Sequence, residues 1–203
     1  MKRLCTIVCL CLCAVLFIGA SKTTKTKASK KEVFNAQHEL TSYYTFEYNA
    51  FDKEKKYHYN PSGNLISYWT YHYDTDRKRM KKIEYDPSDK IVSITTYDFD
   101  TKGKRTKKNV YDAHEVLQKY FVYEYDDNGK RKRRNQYTPE NELRSYVTYS
   151  YNPEGKVEKK TTYSSDGKMI EWVLNEYDEQ GKKLKKTVHD SKNTKKEYTM
   201  YHY

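Results

Sequence analysis

The chain has 203 residues, 39 Lys and Arg against 28 Asp and Glu, and a net charge of +11. Leu, Ile, Val and Phe are too scarce to build a thick two-layer core and alone would suggest disorder. Against disorder stand 23 tyrosines, all after residue 42 and regularly placed.

Met1, Lys2 and Arg3 open the chain, followed by an apolar run from Leu4 to Ile18 and the small residues Gly19 and Ala20. That is the layout of a secretory signal peptide, with cleavage expected after Ala20. The run is short for a membrane-spanning helix, so no integral span is expected in the mature chain. Cys5, Cys9, Cys11 and Cys13 all fall in the removed segment, which leaves no disulfide, thiol nucleophile or cysteine metal site. Val8 before Cys9 and Leu12 before Cys13 argue against lipidation. Residues 21–39 read as a basic tether, "SKTTKTKASKK" among them, and residues 40–203 as a Tyr/Lys-rich β-repeat domain.

After an irregular first hairpin over residues 40–59, turn-starting residues recur at Asn60, Asp74, Asp86, Asp100, Asp112, Asp126, Thr138, Asn152, Ser164, Asp178 and Asp190. The steps alternate between 14 and 12, so the unit is 26 residues, a hairpin of two unequal halves. An aromatic or His precedes each start, and one further period from Tyr177 reaches Tyr203. Asp, Asn, Ser or Thr at the first position and Pro61, Pro87, Pro139 and Pro153 at the second fit type I turns. Gly63, Gly103, Gly129, Gly155, Gly167 and Gly181 sit where such a turn followed by a bulge needs a left-handed residue. Arg77 and Glu115 fit that position less well and predict two turns of another kind.

The longer segments between turns are aromatic, as in "LISYWTYHY" from Leu65, and the shorter ones basic, as in "KRKRRNQY" from Lys130. Both read as strands. The turn geometry pairs each anchoring aromatic alternately with an apolar residue (Leu65, Ile91, Leu117, Leu143, Met169) or with Arg79, Arg105, Arg131, Val157 or Lys183. The even steps would place all anchors on one face. The expected fold class is all-β: an antiparallel meander of about 13 strands built from hairpin repeats, elongated and largely single-layered. A lipid-spanning barrel is disfavoured because Arg131 and Arg133 occupy one face of their strand and Lys132 and Arg134 the other. Whether the sheet is open, coiled or closed is left undecided.

The Tyr-Asp-x-x-Gly-Lys runs at 125–130 and 177–182, with weaker versions from Tyr59, Tyr151 and Tyr163, resemble the YD repeat of Rhs-type bacterial proteins. The resemblance implies a winding repeat sheet that acts as shell or surface filament, without catalysis of its own. Here the chain is far shorter and carries no toxin-like extension, so a small exported repeat sheet is implied rather than an enclosing cocoon.

Catalytic and metal-binding patterns are not found. His189-Asp190-Ser191 has the letters of a triad but occupies consecutive positions at a repeat turn. His38, His58, His72, His114, His189 and His202 lack metal-ligand spacing, the Asp-rich turns lack the paired glycines of calcium-binding repeats, and no cofactor is expected. Trp69 and Trp172 suit sheet-face packing. The basic strands carry the functional signal: Lys104, Arg105, Lys107, Lys108, Lys130, Arg131, Lys132, Arg133, Arg134, Lys159, Lys160, Lys185 and Lys186 would form parallel rows of positive charge among tyrosines. Such rows attract polyanions with salt-sensitive affinity, or else keep a two-faced sheet soluble. The expected function is therefore non-enzymatic binding by an exported bacterial protein, periplasmic, outer-envelope or secreted, with an acidic glycan or other polyanion as partner. The alternative is an assembly role in which sheet edges contact envelope or surface proteins by strand addition.

Overall fold

The computed structural model describes residues 27–49 and 53–203; the expected signal peptide and residues 21–26 of the tether lie outside the described residues. The described chain is an antiparallel meander of fourteen strands. Seven are short and basic: β1 (Lys30–Asn35), β3 (Lys53–Tyr59), β5 (Arg79–Tyr85), β7 (Arg105–Asp112), β9 (Arg131–Tyr137), β11 (Val157–Ser164) and β13 (Lys183–Asp190). They alternate with seven aromatic ones, nine residues long except the last, which has eight: β2 (Leu40–Tyr48), β4 (Leu65–Tyr73), β6 (Ile91–Phe99), β8 (Leu117–Tyr125), β10 (Leu143–Tyr151), β12 (Met169–Tyr177) and β14 (Lys195–His202).

The sheet does not remain open. β1 pairs with β2 on one side and with β14 on the other, closing a barrel of seven hairpin repeats. Lys30–Asn35 thus corrects the tether: its residues are a full strand, bonded along both edges. Closure follows from the turns. Each turn start donates its backbone N–H to the carbonyl four residues on, as Asp126 does to Lys130 at 2.8 Å, and the partner strand then gains one extra residue, a β-bulge. Bulges bend and twist a sheet, and a bend of the same sense at every turn curls the meander into a ring.

The bulge pairings match the sequence expectation: Tyr73 faces Arg79, Phe99 faces Arg105, Tyr111 faces Leu117 and Tyr137 faces Leu143. The expectation that all anchors share one face is corrected. The extra residue flips the alternation, so Tyr73 and Tyr85 lie on opposite faces although both end a strand. The expectation of two different turns is corrected as well. Arg77 (φ 62°) and Glu115 (φ 62°) adopt the same left-handed conformation as the glycines, with the same backbone bonds to Asp74 and Asp112. The turn residues are held from within: the Asp126 carboxylate accepts the Lys130 N–H at 2.7 Å, and Asp100 and Asp178 do the same for Lys104 and Lys182.

Register also sets the tilt. Thr95 pairs with Val110, and Val110 with Lys119, two residues short of Phe121, the repeat equivalent of Thr95. A stagger equal to the strand number corresponds to a tilt of about 35–40°. Repeat-equivalent residues therefore lie at one height, as rings around the axis. Fourteen strands fall between the barrels of about eight strands that side chains fill and those of about sixteen that leave an aqueous channel.

Candidate functional site

The two faces of the wall have different chemistry. Trp69, Thr95, Tyr97, Phe121, Tyr123, Val147 and Thr199 are buried and share the inner face by register, whereas Ile66, Val92 and Ile170 are exposed on the outer one.

The basic strands contribute to both. Inward, one cation per repeat stands at the same level: Lys31, Lys56, Lys82, Lys108, Arg134, Lys160 and Lys186. Each pairs across the strands with inward residues, as Lys108 does with Tyr97 and Phe121. These cations form an unbroken circuit of mutual repulsion: Lys31 acts on Lys56, Lys82 on both Lys56 and Lys108, Arg134 on both Lys108 and Lys160, and Lys186 on both Lys160 and Lys31. Burial first, then these neighbours, push the Lys56 ammonium down to about 7 and that of Lys108 down to about 8. Lys31 and Lys160 shift the same way for the same reasons. Glu84 acts on Lys56 and Lys82, and Glu197 on Lys31, with a 3.5 Å ion pair to Lys186. Among the described residues no carboxylate lies within ion-pair distance of Lys108, Arg134 or Lys160.

A second inward level holds Lys53, Arg79, Arg105, Arg131 and Lys183, with Val157 at the corresponding place in β11. The expected cation–π contacts form here. The nearest ring, however, is the inward aromatic two residues before the anchor: Arg79 lies 4.3 Å from Tyr71, Arg105 4.2 Å from Tyr97 and Arg131 4.6 Å from Tyr123. Burial, then Lys160, Lys186 and Lys31, lower Lys183 to about 8. At the mouth, Lys104, Lys130, Lys156 and Lys182 lie over Tyr125, Tyr151, Tyr177 and Tyr203.

Several outer cations face acids. Lys107 faces Asp98, Arg133 faces Glu124 and Lys185 faces Glu176, the last as an ion pair of 3.8 Å. Lys107, Arg133 and Lys159 rest on Tyr120, Tyr146 and Trp172 at 4.4, 3.7 and 4.5 Å.

The residues expected from sequence to bind polyanions therefore divide. Arg105, Lys108, Arg131, Arg134, Lys160 and Lys186 converge inside; Lys107, Arg133, Lys159 and Lys185 lie outside; Lys104 and Lys130 belong to the mouth; and Lys132 is exposed beside a bulge. Lys31, Lys53, Lys56, Arg79, Lys82 and Lys183 were missed, although stepping back by 26 residues from Lys108 gives Lys82 and then Lys56. The triad letters form no triad. Asp190 accepts the backbone N–H groups of Lys192 and Thr194, and the His189 ring stacks on Trp172 at 4.0 Å. No metal-ligating cluster occurs among the described residues.

The structure is thus a closed antiparallel repeat barrel with an electropositive, aromatic interior. A family model described as "Protein of unknown function (DUF2963)" matches residues 137–189. No curated protein matches the chain. Among solved structures, a porin-like protein from Bacteroides uniformis is similar at 12% identity over 86% of this chain and 95% of that one, with a TM-score of 0.47. A porin-like protein from Bacteroides vulgatus is similar at 8% identity over 88% and 99%, with a TM-score of 0.41. The toxin complex TcdB2-TccC3-Cdc42 is similar at 10% identity over 82% of this chain but 11% of that one, with a TM-score of 0.35. At these levels none of the solved structures assigns a function.

Proposed function

We propose that the barrel is a non-enzymatic binding protein for polyanions, exported from a bacterial cell, and that its site is the interior. The single supporting observation is the closed circuit of Lys31, Lys56, Lys82, Lys108, Arg134, Lys160 and Lys186, with carboxylates near only part of it. Buried like charges destabilise a fold unless something neutralises them, and a bound polyanion would do so. The outer cations Lys107, Arg133 and Lys185 each face an acid across the sheet, whereas among the described residues Lys108, Arg134 and Lys160 have only rings beside them, Phe121 at 4.5 and 5.0 Å and Tyr149 at 6.0 Å.

The resemblance to YD repeats supports a winding, non-catalytic sheet, and the apolar run Leu4–Ile18 supports export to the envelope or beyond. The charged outer wall, with Lys107 and Asp98 facing each other there, favours an aqueous setting over lipid, where each Lys or Arg would cost about 2–4 kcal/mol at the midplane. Assembly by strand addition has less support, because β1–β14 pairing closes the edge that an incoming strand would use.

The test compares two triple variants with equal loss of charge. Lys108→Gln, Arg134→Gln and Lys160→Gln alter the interior; Lys107→Gln, Arg133→Gln and Lys159→Gln alter the exterior. Calorimetric titration with a short heparin fragment, between about 50 and 200 mM salt, should show affinity lost in the interior variant and nearly kept in the exterior one. Equal losses in both would make the attraction a property of the surface and overturn the interior site.

A further inference from the structure

The hydrogen-bonding character of the interior goes further than its charge. At the two cationic levels the wall offers many more donors than acceptors, the latter being inward hydroxyls such as those of Tyr71, Tyr97, Tyr123 and Tyr149. The ammonium and guanidinium groups of Lys31, Lys56, Lys82, Lys108, Arg134, Lys160 and Lys186, and below them Lys53, Arg79, Arg105, Arg131 and Lys183, can only donate. Among the described residues Asn175 is the one carboxamide there, and it is already engaged: its Oδ1 accepts from Lys183 Nζ at 3.0 Å and its Nδ2 donates to the Val157 carbonyl at 2.8 Å.

The phenols at the mouth are engaged too. Tyr125, Tyr151 and Tyr177 donate to the carbonyls of Arg105, Arg131 and Val157, and Tyr73 accepts from Arg79 at 3.4 Å. The Arg131 guanidinium lies 5.5 Å from the Tyr149 ring centroid and 6.0 Å from that of Tyr125. Glu84 and Glu197 lie one strand step deeper, where Glu84 accepts from Ser93 at 2.9 Å and Glu197 pairs with Lys186.

A wall of donors has a matching ligand. Acidic glycans carry several hydroxyls per charge, and each one buried must compete with the cations for the limited hydroxyl and amide oxygens of these levels while bringing fewer anionic acceptors of its own. A chain of phosphoryl groups presents acceptors alone, at high charge density, and suits both the point charge of Lys and the fork of Arg. The neighbouring Arg105, Lys108, Arg131, Arg134 and Lys160, on β7, β9 and β11, form the arc best placed for it.

We propose that the interior selects a hydroxyl-free polyoxoanion chain, of which inorganic polyphosphate is the type, over acidic polysaccharide. This rests on the interior site proposed above and narrows its ligand class.

Trp69, buried on the inner face with Lys56 Nζ 3.6 Å from its ring centroid, is a built-in reporter, and Trp172→Phe removes the outer tryptophan signal. In that background, emission is followed during titration with tripolyphosphate and, separately, with a galacturonate oligomer of matched charge. The result expected is tripolyphosphate bound at least about tenfold tighter, with the response lost when Lys108, Arg134 and Lys160 are all changed to Gln. Equal affinities, both lost in that variant, would overturn the phosphoryl preference while leaving the interior site intact. Binding of both ligands unchanged in the variant, or no binding of either, would overturn the interior site itself. The affinity ratio is measured on a barrel with its interior unaltered, so the preference is tested even if the triple variant does not fold.

Discussion

Tyr125 donates its phenolic hydrogen to the backbone carbonyl of Arg105, 2.7 Å away and twenty residues earlier. The same bond recurs from Tyr48 to Ala28, Tyr73 to Lys53, Tyr151 to Arg131, Tyr177 to Val157 and Tyr203 to Lys183. It clamps the start of each short strand to the end of the long strand beside it. Phe99 holds the same place in the repeat and has no hydroxyl to give, so Phe99→Tyr should supply the missing bond to the Arg79 carbonyl and raise stability by about 0.5–1.5 kcal/mol. Tyr125→Phe should lower it by a similar amount. Urea unfolding of the two variants checks both signs; no gain from Phe99→Tyr would mean that the rung is already satisfied in another way.

Glu115 is a long side chain at φ 62°, in a position glycine fills in other repeats. A left-handed conformation costs a non-glycine residue about 1–2 kcal/mol, partly offset by the greater freedom glycine loses on folding. Glu115→Gly should therefore raise the melting temperature modestly, and Gly129→Ala, at φ +77°, should lower it. Thermal unfolding in one buffer distinguishes these outcomes; a destabilised Glu115→Gly would show that the glutamate side chain contributes more than its backbone costs.

The interior lysines make stability depend on pH. Lys56 is held near 7, and Lys108 and Lys183 near 8, against an ordinary 10.5. Between those values the unfolded chain binds more protons than the barrel, so stability rises with pH; the cost is fully present below about 7 and fades toward 10.5. Burial pushes the Tyr201 phenol up to about 12, which reverses the sign above 10 because unfolded tyrosines ionise first. The melting temperature of the ligand-free protein should thus climb from neutral pH to a maximum at about pH 9–10. Polyanion affinity should fall over the same range as the ammonium groups lose their protons. A melting temperature that declines steadily from pH 6 would contradict the buried circuit.

β1 is the seam. Val33 lies between Ser42 on one side and Thr199 on the other, and Thr199 is 1% exposed. A proline inside a strand bonded on both edges removes a ladder bond and clashes, so Val33→Pro should release β1 and expose the edges of β2 and β14. Hydrogen exchange should then speed up over residues 195–202, and light scattering should detect association through the freed edges. A monomer with unchanged protection there would show that the barrel does not depend on β1.

Much of this is legible in the sequence. The 14/12 alternation gave strand and turn boundaries because turn chemistry is local: an Asp, Asn, Ser or Thr starts each turn, and a left-handed residue completes it. Even the bulge pairing of Phe99 with Arg105 follows from that geometry. The side on which a residue ends was not legible, since one bulge per turn reverses the alternation and puts Arg105 and Lys108, three residues apart, on the same inner face. Lys31 could not be singled out either, because its strand follows no anchored turn of the regular repeat and is defined by its partners, Tyr44 and Tyr201.

The sequence by itself determined the repeat, the strand class of every segment from Leu40 onward and, except at Arg77 and Glu115, the type of turn between them. All of these depend on residues a few positions apart. Only the tertiary structure decided that Lys30 meets His202 across a closed seam. That contact depends on the curvature accumulated over all seven hairpins, to which each bulge contributes a small bend that no single motif records. Closure in turn converts rows of basic residues on a strip into a ring of charges facing one another, and the candidate function arises from that ring.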